Sequence, residues 1–301
     1  MREITLEQLL EAGCHFGHQV TRQNPKARDY VFEARDNIHI IDLAKTKEEL
    51  EIAANFIKNL AAKGGNIVVV GTKRQAKTIV EAEVKRANEA GADGLFLVTN
   101  RWIGGILTNF TEVAKNYKKL EKITHDLQDE NAQIGFTKKE IGGWAKEKTK
   151  LTSFYGGVAG MTAIPDALFV IDTHMEDLAV REANKMGVPI VGMVDTNADP
   201  TVIDYPIPAN DDAVGSIELI TKFIIDAWIE GKKEGAKQKA TAAKAAEQAA
   251  QSPVIASEAK QSEEEKPVEP KKAKKEKAPK EIKPKVSKKT TKKTEEPGVT
   301  N

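Results

Sequence analysis

Four continuous apolar runs that alternate with helical segments constrain the fold of this 301-residue chain most strongly. The runs are NIVVVG (66–71), GLFLVT (94–99), DALFVID (166–172) and VPIVGMVD (188–195). Strands of a parallel sheet have unbroken apolar sequences because helices cover both faces of the sheet. The short run VIDYPIP and a helix predicted over about residues 212–229 follow the fourth run. The pattern therefore predicts an α/β domain with a parallel sheet flanked by helices.

The segment between the second and third runs carries a helical pattern. Apolar residues recur there every three or four positions, at Phe110, Val113, Tyr117, Leu120, Ile123 and Leu127. After the polar turn QDENAQIG, Thr137 and Glu140 are spaced as a capping box that begins a second helix. The apolar stripe of this second helix is Ile141, Trp144, Leu151 and Phe154. Two narrow stripes and a short turn predict an inserted antiparallel coiled-coil hairpin, whose second arm is weakened by glycine pairs at 142–143 and 156–157.

The remaining segments complete the domain organisation. YVFEARDNIHIIDL (30–43) predicts a small β-hairpin or an edge strand, with turn residues at Asp36–Asn37. We assign residues 1–107 and 156–230 to the sheet domain and residues 108–155 to the helical hairpin. Residues 231–301 form a low-complexity tail rich in Lys, Glu and Pro. Its first part, KKEGAKQKATAAKAAEQAAQ (232–251), is compatible with a continuation of the last core helix, whereas residues 252–301 are almost free of large apolar residues and are predicted to be disordered. Such a tail either keeps the chain soluble or binds RNA through its charge.

The net charge of +1 conceals two parts of opposite sign. Residues 231–301 hold 19 lysines, no arginine and 11 acidic residues, whereas residues 1–230 hold 27 basic and 34 acidic residues. An acidic body is not a generic nucleic-acid binder, so any RNA contact must come from local patches. One cysteine cannot form an internal disulfide, and no apolar run is long enough to cross a bilayer. We therefore expect a cytoplasmic protein without a membrane partner.

Residues at the strand ends raise the alternative of an α/β enzyme. Asp42, Asp172 and Asp195 each follow an apolar run, and α/β enzymes place catalytic groups at the carboxyl ends of parallel strands. An aspartate at such a position also commonly caps the next turn or helix. Gly71 lies between a strand and a helix, where backbone N–H groups favour an anion, but the glycine-rich fingerprints of nucleotide sites are absent. Lys73 and Arg74 would instead hold a phosphate presented from outside, or the segment is an ordinary strand-to-helix turn with exposed basic residues.

The stretch GCHFGHQVTRQNPKARDYVF (13–32) combines the cysteine with two histidines and several basic residues. His15 and His18 either share a metal with a distant carboxylate, such as Asp195 or Asp204, or form hydrogen bonds that pin their loop. One Cys and two His without a second ligand pair make a poor zinc pattern, so we expect loop-pinning histidines and a buried Cys14. The basic residues that follow beside Tyr30 are typical of a phosphate contact, and they are Arg22, Lys26 and Arg28.

The segment TNRWIGGILTNF (99–110) lies at the root of the predicted helical hairpin. Arg101 and Trp102 are residue types that stack on bases or hold backbone phosphate. Trp102 is equally suited to packing the arm onto the sheet, and the two roles are compatible.

Five motifs stand in the order and spacing of one protein family. They are AGCHFGHQV…NPKARDYVFEARDNIHIIDLAKT, VVVGTKRQA, TNRWIGGILTNF, IPDALFVID and MGVPIVGMVDTNADPTVIDYPIPANDDAVGSI. On these motifs, which span roughly residues 3–230, the chain resembles the bacterial small-subunit ribosomal protein S2 family. The resemblance implies a flavodoxin-like parallel sheet with an inserted coiled-coil hairpin. It implies no catalysis, no cofactor and no small-molecule substrate.

The resemblance also implies partners and site residues. Members of the family are expected on the solvent side of the small subunit, where they contact ribosomal RNA and neighbouring proteins and help to dock ribosomal protein S1 for initiation. His15 and His18 would pin a loop without a metal, and the acidic side of the body would face a protein partner such as S1. The residues expected to contact RNA are Arg22, Lys26, Arg28, Arg35, Lys73, Arg74, Arg101, Trp102, Lys115, Lys118 and Lys119.

The sequence thus favours a noncatalytic ribosomal RNA-binding protein over two alternatives. The first alternative is a nucleotide- or metal-dependent α/β enzyme built on the strand-end aspartates and the Gly71 turn. The second is a protein-docking platform that uses the helical hairpin and the acidic face, with RNA contacts secondary.

Overall fold

A computed structural model of the chain describes residues 4–129 and 131–250. Its central feature is a five-stranded sheet in which every neighbouring pair is parallel. The order across the sheet is β5-β4-β6-β7-β8, which is the flavodoxin-like arrangement and confirms the predicted fold class. The strands are β4 (Ile67–Val70), β5 (Leu95–Val98), β6 (Ala167–Val170), β7 (Ile190–Val194) and β8 (Tyr205–Pro208).

Helices cover both faces of this sheet and divide the core into two clusters. Alternate residues of β4 serve the two faces, because Val69 packs in one cluster while Val68 and Val70 pack in the other. Both faces of β4 and β6 are therefore buried, which explains their unbroken apolar sequences. The first cluster includes residues of α2 (Leu43–Ala62), α3 (Arg74–Glu89) and α7 (Val214–Ala250), and the second includes residues of α6 (Asp177–Met186).

A second, antiparallel sheet lies in the N-terminal part of the chain. Its order is β1-β3-β2, with β1 (Phe16–Gln19), β2 (Val31–Arg35) and β3 (Ile38–Ile41), and it follows α1 (Leu6–Glu11). Asp36 and Asn37 have φ of 51° and 61°, as a two-residue turn with both central residues left-handed requires. The predicted β-hairpin is therefore present, and β1, which the sequence does not single out as a strand, extends it.

The inserted segment forms the predicted helical hairpin. Its arms are α4 (Phe110–Asp126) and α5 (Lys138–Tyr155), and Thr137 and Glu140 make both hydrogen bonds of the capping box. The α4 arm buries its stripe, whereas no residue of α5 is fully buried. The helix α5 continues through residues 142–143, so the first glycine pair weakens this arm without interrupting it.

The last helix continues past residue 231, where the composition of the sequence changes. Gly231 and Gly235 of α7 pack against α2 so closely that an added Cβ would overlap the backbone carbonyls of Lys58 and Ala62. The folded body therefore includes the first residues of the segment that composition assigns to the tail. The helical continuation that the sequence allows is present to Ala250, and the predicted disorder of residues 252–301 concerns residues outside the described part of the chain. Within that part, none of the helices combines the length and apolarity that a membrane span requires.

Candidate functional site

A cluster of charged residues lies at the carboxyl ends of β4, β6 and β7. The ammonium group of Lys73 lies 2.8 Å from a carboxylate oxygen of each of three residues, Asp172, Asp211 and Asp212. It also donates to the carbonyl oxygen of Asp211 at 3.1 Å. Lys73 thus connects the end of β4 to the loop before α7. The structure places it among internal carboxylates rather than toward an external phosphate.

Burial and like charge dominate the electrostatics of this cluster, which we call the Lys73 cluster and define as Lys73, Asp172, Asp195, Asp211 and Asp212. Burial raises the pKa of the fully buried Asp211 to about 7, and the charges of Asp172 and Asp195 act in the same direction. Burial disfavours the charge on Lys73, but the surrounding carboxylates outweigh it and raise the pKa of the lysine. The lysine therefore remains charged and offsets part of the repulsion among the acids.

His18 joins the N-terminal sheet to this cluster. Its Nδ1 lies 3.1 Å from Asp195 Oδ2, and its backbone N–H donates to Thr196 Oγ1 at 2.9 Å. The hydrogen bond to Asp195 raises the pKa of His18, with smaller contributions from the charges of Asp211 and Asp212. Gly17 permits the approach, since a Cβ there would lie 2.7 Å from the Thr196 methyl group. This geometry supports the expected loop-pinning role of His18.

The same residues contain a donor set suited to a divalent cation. One ligand atom each from His18, Asp195 and Asp211 lie within 4.8 Å of one another. Asp211 Oδ2 is buried without a hydrogen-bond partner among the described residues, which leaves a carboxyl oxygen available as a ligand. An imidazole and two carboxylates are ligands that zinc accepts. Of the two carboxylates that the sequence suggests beside His18, Asp195 is adjacent, whereas Asp204 accepts from the Ile190 N–H at 2.9 Å elsewhere.

Cys14 and His15 contribute to packing rather than to this site. Cys14 is fully buried, and burial raises the pKa of its thiol to about 11, so it is a poor nucleophile near neutral pH. The Nδ1 atom of His15 is buried without a hydrogen-bond partner among the described residues. It is the His15 carbonyl that pins the chain, since it accepts from the Ile41 N–H at 2.8 Å.

The basic residues that follow β1 are exposed. Lys26 is held by Asp199 at 2.7 Å and by the Thr201 hydroxyl at 3.2 Å. Arg22 lines a cavity of about 260 Å³ that also contacts His18. Across the described residues, Arg22, Arg28 and Arg35 make no ion pair, so three guanidinium groups are available on and beside the small sheet.

The root of the helical hairpin separates Arg101 from Trp102. Arg101 is exposed, but Trp102 is only 3% exposed and belongs to the core cluster beneath α4. The structure thus places Trp102 in the packing that anchors the arm, with almost all of its surface buried. On the arm itself, Lys115 pairs with Glu112 and Lys119 pairs with Glu147, while Lys118 is exposed. Arg74 is also exposed, at the first residue of α3.

Two features of this region have no clear signal in the sequence. Glu182 is buried and accepts hydrogen bonds from the backbone N–H groups of Gly105, Leu107 and Thr108, which fixes the root of the arm. Its sequence position is that of an ordinary helical glutamate. Asp211 joins the Lys73 cluster from a loop, and the only sequence signal is an Asp pair shortly before a helix.

One protein-family model matches the chain, and it is described as ribosomal protein S2. The match covers residues 9–231, which include both sheets, the helical hairpin and the start of α7. The family comprises structural proteins of the small ribosomal subunit rather than enzymes. Membership implies association with that subunit and its RNA in the cytoplasm. The chain therefore belongs to the ribosomal protein S2 family.

Proposed function

We propose that the chain binds ribosomal RNA through the exposed arginines of its N-terminal sheet region and offers the same region for docking of ribosomal protein S1. The observation that carries the proposal is the combination of free guanidinium groups with a rigid support. Arg22, Arg28 and Arg35 are exposed, and the segment that bears them is held to the main sheet through His18 and Lys26. Phosphate contacts of this kind position a protein on RNA.

Rigidity matters because the body as a whole is acidic. Long-range attraction does not draw such a body to RNA, so its few cations must already face the phosphates. The hydrogen bonds of His18 and Lys26 provide this preorganisation. Lys73 and Trp102 are left out of the proposed contact surface, because the first is enclosed by carboxylates and the second is buried.

The helical hairpin offers a second set of cations. Lys118 is exposed, Lys115 is held only by the exposed Glu112, and Lys119 is held only by the half-buried Glu147 of the other arm. Exposed ion pairs contribute about 0–1 kcal/mol each, so a phosphate can replace the glutamate as partner. We propose that these three lysines contact RNA along α4, together with Arg74 and Arg101 at its root.

Exposed apolar residues favour a protein partner at the small sheet. Phe32 on β2 is 72% exposed, and Phe16, Val20 and Ile38 are exposed on or beside the same sheet. Both β1 and β2 are edge strands, which leaves backbone groups for a further strand. Exposed apolar residues beside such unpaired strand edges commonly mark an interaction area on a soluble protein. We propose that S1 covers this area.

Two sets of variants test the RNA and protein parts separately. Arg22→Glu with Arg28→Glu is expected to weaken binding to small subunits stripped of this protein and to reduce the salt slope by about one unit per lost phosphate. Lys63→Glu with Lys85→Glu, at the opposite end of the sheet, is the matched control. Binding of the arginine variant equal to wild type at every salt concentration would refute the RNA contact.

For docking, Phe32→Ser with Ile38→Ser is expected to reduce capture of purified S1 at least tenfold while binding to the subunit persists. Ile134→Ser is the control, because Ile134 is equally exposed but lies in the turn of the helical hairpin. Unchanged capture of S1 by the Phe32 variant would exclude this surface as the docking site.

A further inference from the structure

A crevice lies at the carboxyl ends of β4, β5 and β6, and of its lining residues the proposed function uses only Arg101. Its volume is about 400 Å³, within the range of small-molecule sites. From β4 the chain moves first to β5 on one side and later to β6 on the other, so the strand order reverses here. Such switch points are where open α/β sheets bind ligands. The crevice is lined by Thr72, Asn100, Arg101, Trp102, Met175, Glu176 and Leu178.

The crevice combines apolar side chains with one largely buried carboxylate. Met175 and Leu178 line it and are 57% and 49% exposed, so both present apolar surface to a ligand. Glu176 is only 6% exposed, and its Oε1 accepts from the Thr72 hydroxyl. No described residue donates a hydrogen bond to Glu176 Oε2. A flat apolar ligand with N–H donors on one edge complements this arrangement.

A buried carboxylate with an unused oxygen calls for donors. Burial raises the pKa of Glu176, and the charge of Asp172 adds to the shift, while the hydrogen bond from Thr72 opposes it. Adjacent N–H groups of a ligand would stabilise the ionised form and satisfy the carboxylate. Among the RNA bases, guanine alone presents two neighbouring donors, N1–H and the 2-amino group, on its Watson–Crick edge.

The rim of the crevice is basic. Arg101 is exposed and makes no ion pair within the described part of the chain, and Lys77 donates to Asn100. The helix α3 begins at Arg74, two residues after Thr72, and its N-cap residue Lys73 makes no side-chain capping bond. Cations and free N–H groups at a helix start attract phosphate. The basic rim thus suits the phosphate of a nucleotide whose base binds Glu176.

We propose that this crevice binds a guanine nucleotide, with the base against Met175 and Leu178, its N1–H and 2-amino group on Glu176, and its phosphate on Arg101. The nucleotide has two sources, an unpaired guanosine of ribosomal RNA or a free guanosine phosphate. The first source rests on the proposed RNA contact, and the second does not.

The first experiment is calorimetric titration of the full chain with GMP, IMP and AMP. IMP lacks only the 2-amino group, so GMP is expected to bind at least tenfold more tightly than IMP, and AMP still more weakly. Glu176→Gln is expected to reduce GMP affinity at least tenfold, with an unchanged melting temperature as the folding check. Glu218→Gln, an exposed glutamate of α7, is the matched control. The three nucleotides binding equally would refute recognition by Glu176.

The second experiment separates the two sources. Small subunits rebuilt with wild type, Glu176→Gln or Glu218→Gln are treated with kethoxal, which modifies unpaired guanines at N1 and the 2-amino group. A guanine protected by wild type and by Glu218→Gln but modified with Glu176→Gln supports the RNA source. GMP selectivity without such a guanine supports a free nucleotide. If the chain shows neither GMP selectivity nor a protected guanine, the crevice proposal is overturned. If the wild-type chain still binds the subunit in that case, the proposed function stands.

Discussion

Removing the Glu182 carboxylate is expected to loosen the root of the helical hairpin. Glu182 is buried, and its Oε2 accepts from the N–H groups of Leu107 and Thr108 and from the Thr108 hydroxyl, each at 3.2 Å. Its Oε1 accepts from the Gly105 N–H at 2.7 Å. One carboxylate therefore accepts from four donors of the segment that joins β5 to α4. The arm has no comparable buried anchor on α5.

The expected size follows from these contacts. Glu182→Gln keeps the shape of the side chain, but its amide N–H₂ group must face at least one of the N–H or O–H donors. One hydrogen bond is thereby replaced by a contact between two donors, which lowers the unfolding free energy by about 2–3 kcal/mol. Glu182→Ala leaves all four donors without their acceptor and creates a cavity, for about 4–5 kcal/mol. Glu218→Gln on the surface of α7 is expected to stay within about 0.5 kcal/mol of wild type.

Urea denaturation of the three variants and wild type gives these free energies from the midpoints and slopes. Amide hydrogen exchange supplies the local reading, because the N–H groups of Gly105, Leu107 and Thr108 should lose protection before the strands of the main sheet do. A loss below about 1 kcal/mol for Glu182→Ala, with these three amides still protected, would refute the assignment of Glu182 as the anchor.

Three further predictions concern the region around the Lys73 cluster. Lys73→Met leaves buried carboxylates without their cation and should lower the urea unfolding free energy by about 3–5 kcal/mol, whereas a change under 1 kcal/mol would show that the acids do not need it. The Cys14 thiol, with its pKa raised to about 11 by burial, should react with an aromatic disulfide at pH 8 only after denaturation, and fast labelling of the folded chain would contradict its burial. Burial alone would raise the pKa of Asp199, but the hydrogen bonds from Lys26 and Thr201 outweigh it and lower this pKa. The ionised carboxylate therefore stabilises the fold, and Asp199→Asn should lower the unfolding free energy by its full amount above about pH 4. The difference from wild type should disappear as the pH falls through the lowered pKa. If the difference in unfolding free energy between wild type and Asp199→Asn grows as the pH falls, the predicted sign is wrong.

The sequence predicts the elements of this fold well because local patterns determine them. The apolar run at 66–71 becomes the central strand β4, and the turn at Asp36–Asn37 has the left-handed backbone that its residue types allow. The capping box of Thr137 and Glu140 begins α5 as predicted. In each case the residues that determine the structure are neighbours in the sequence.

The sequence does not predict how distant residues meet at the sites. Glu182 binds donors more than 70 positions earlier, and Lys73 meets acids more than 130 positions later. Neither pairing leaves a local pattern, so Lys73 is predicted as an RNA contact although carboxylates surround it. Trp102 has two compatible roles in the sequence, and only its burial selects the packing role. The pairing of His18 with Asp195 is suggested by the residue types and is brought together by the fold.

Sedimentation of a cell lysate through a sucrose gradient at moderate salt tests the central claim most directly. The full chain and a chain ending at residue 250 are each detected by immunoblotting, and the shorter chain retains the part of α7 that packs on α2. We expect both chains to travel with the small ribosomal subunit, because the described body carries the proposed contacts. A full chain that stays at the top of the gradient would contradict the ribosomal role. If the full chain travels with the small subunit and the shorter chain does not, the subunit contact depends on residues 251–301 rather than on the described body.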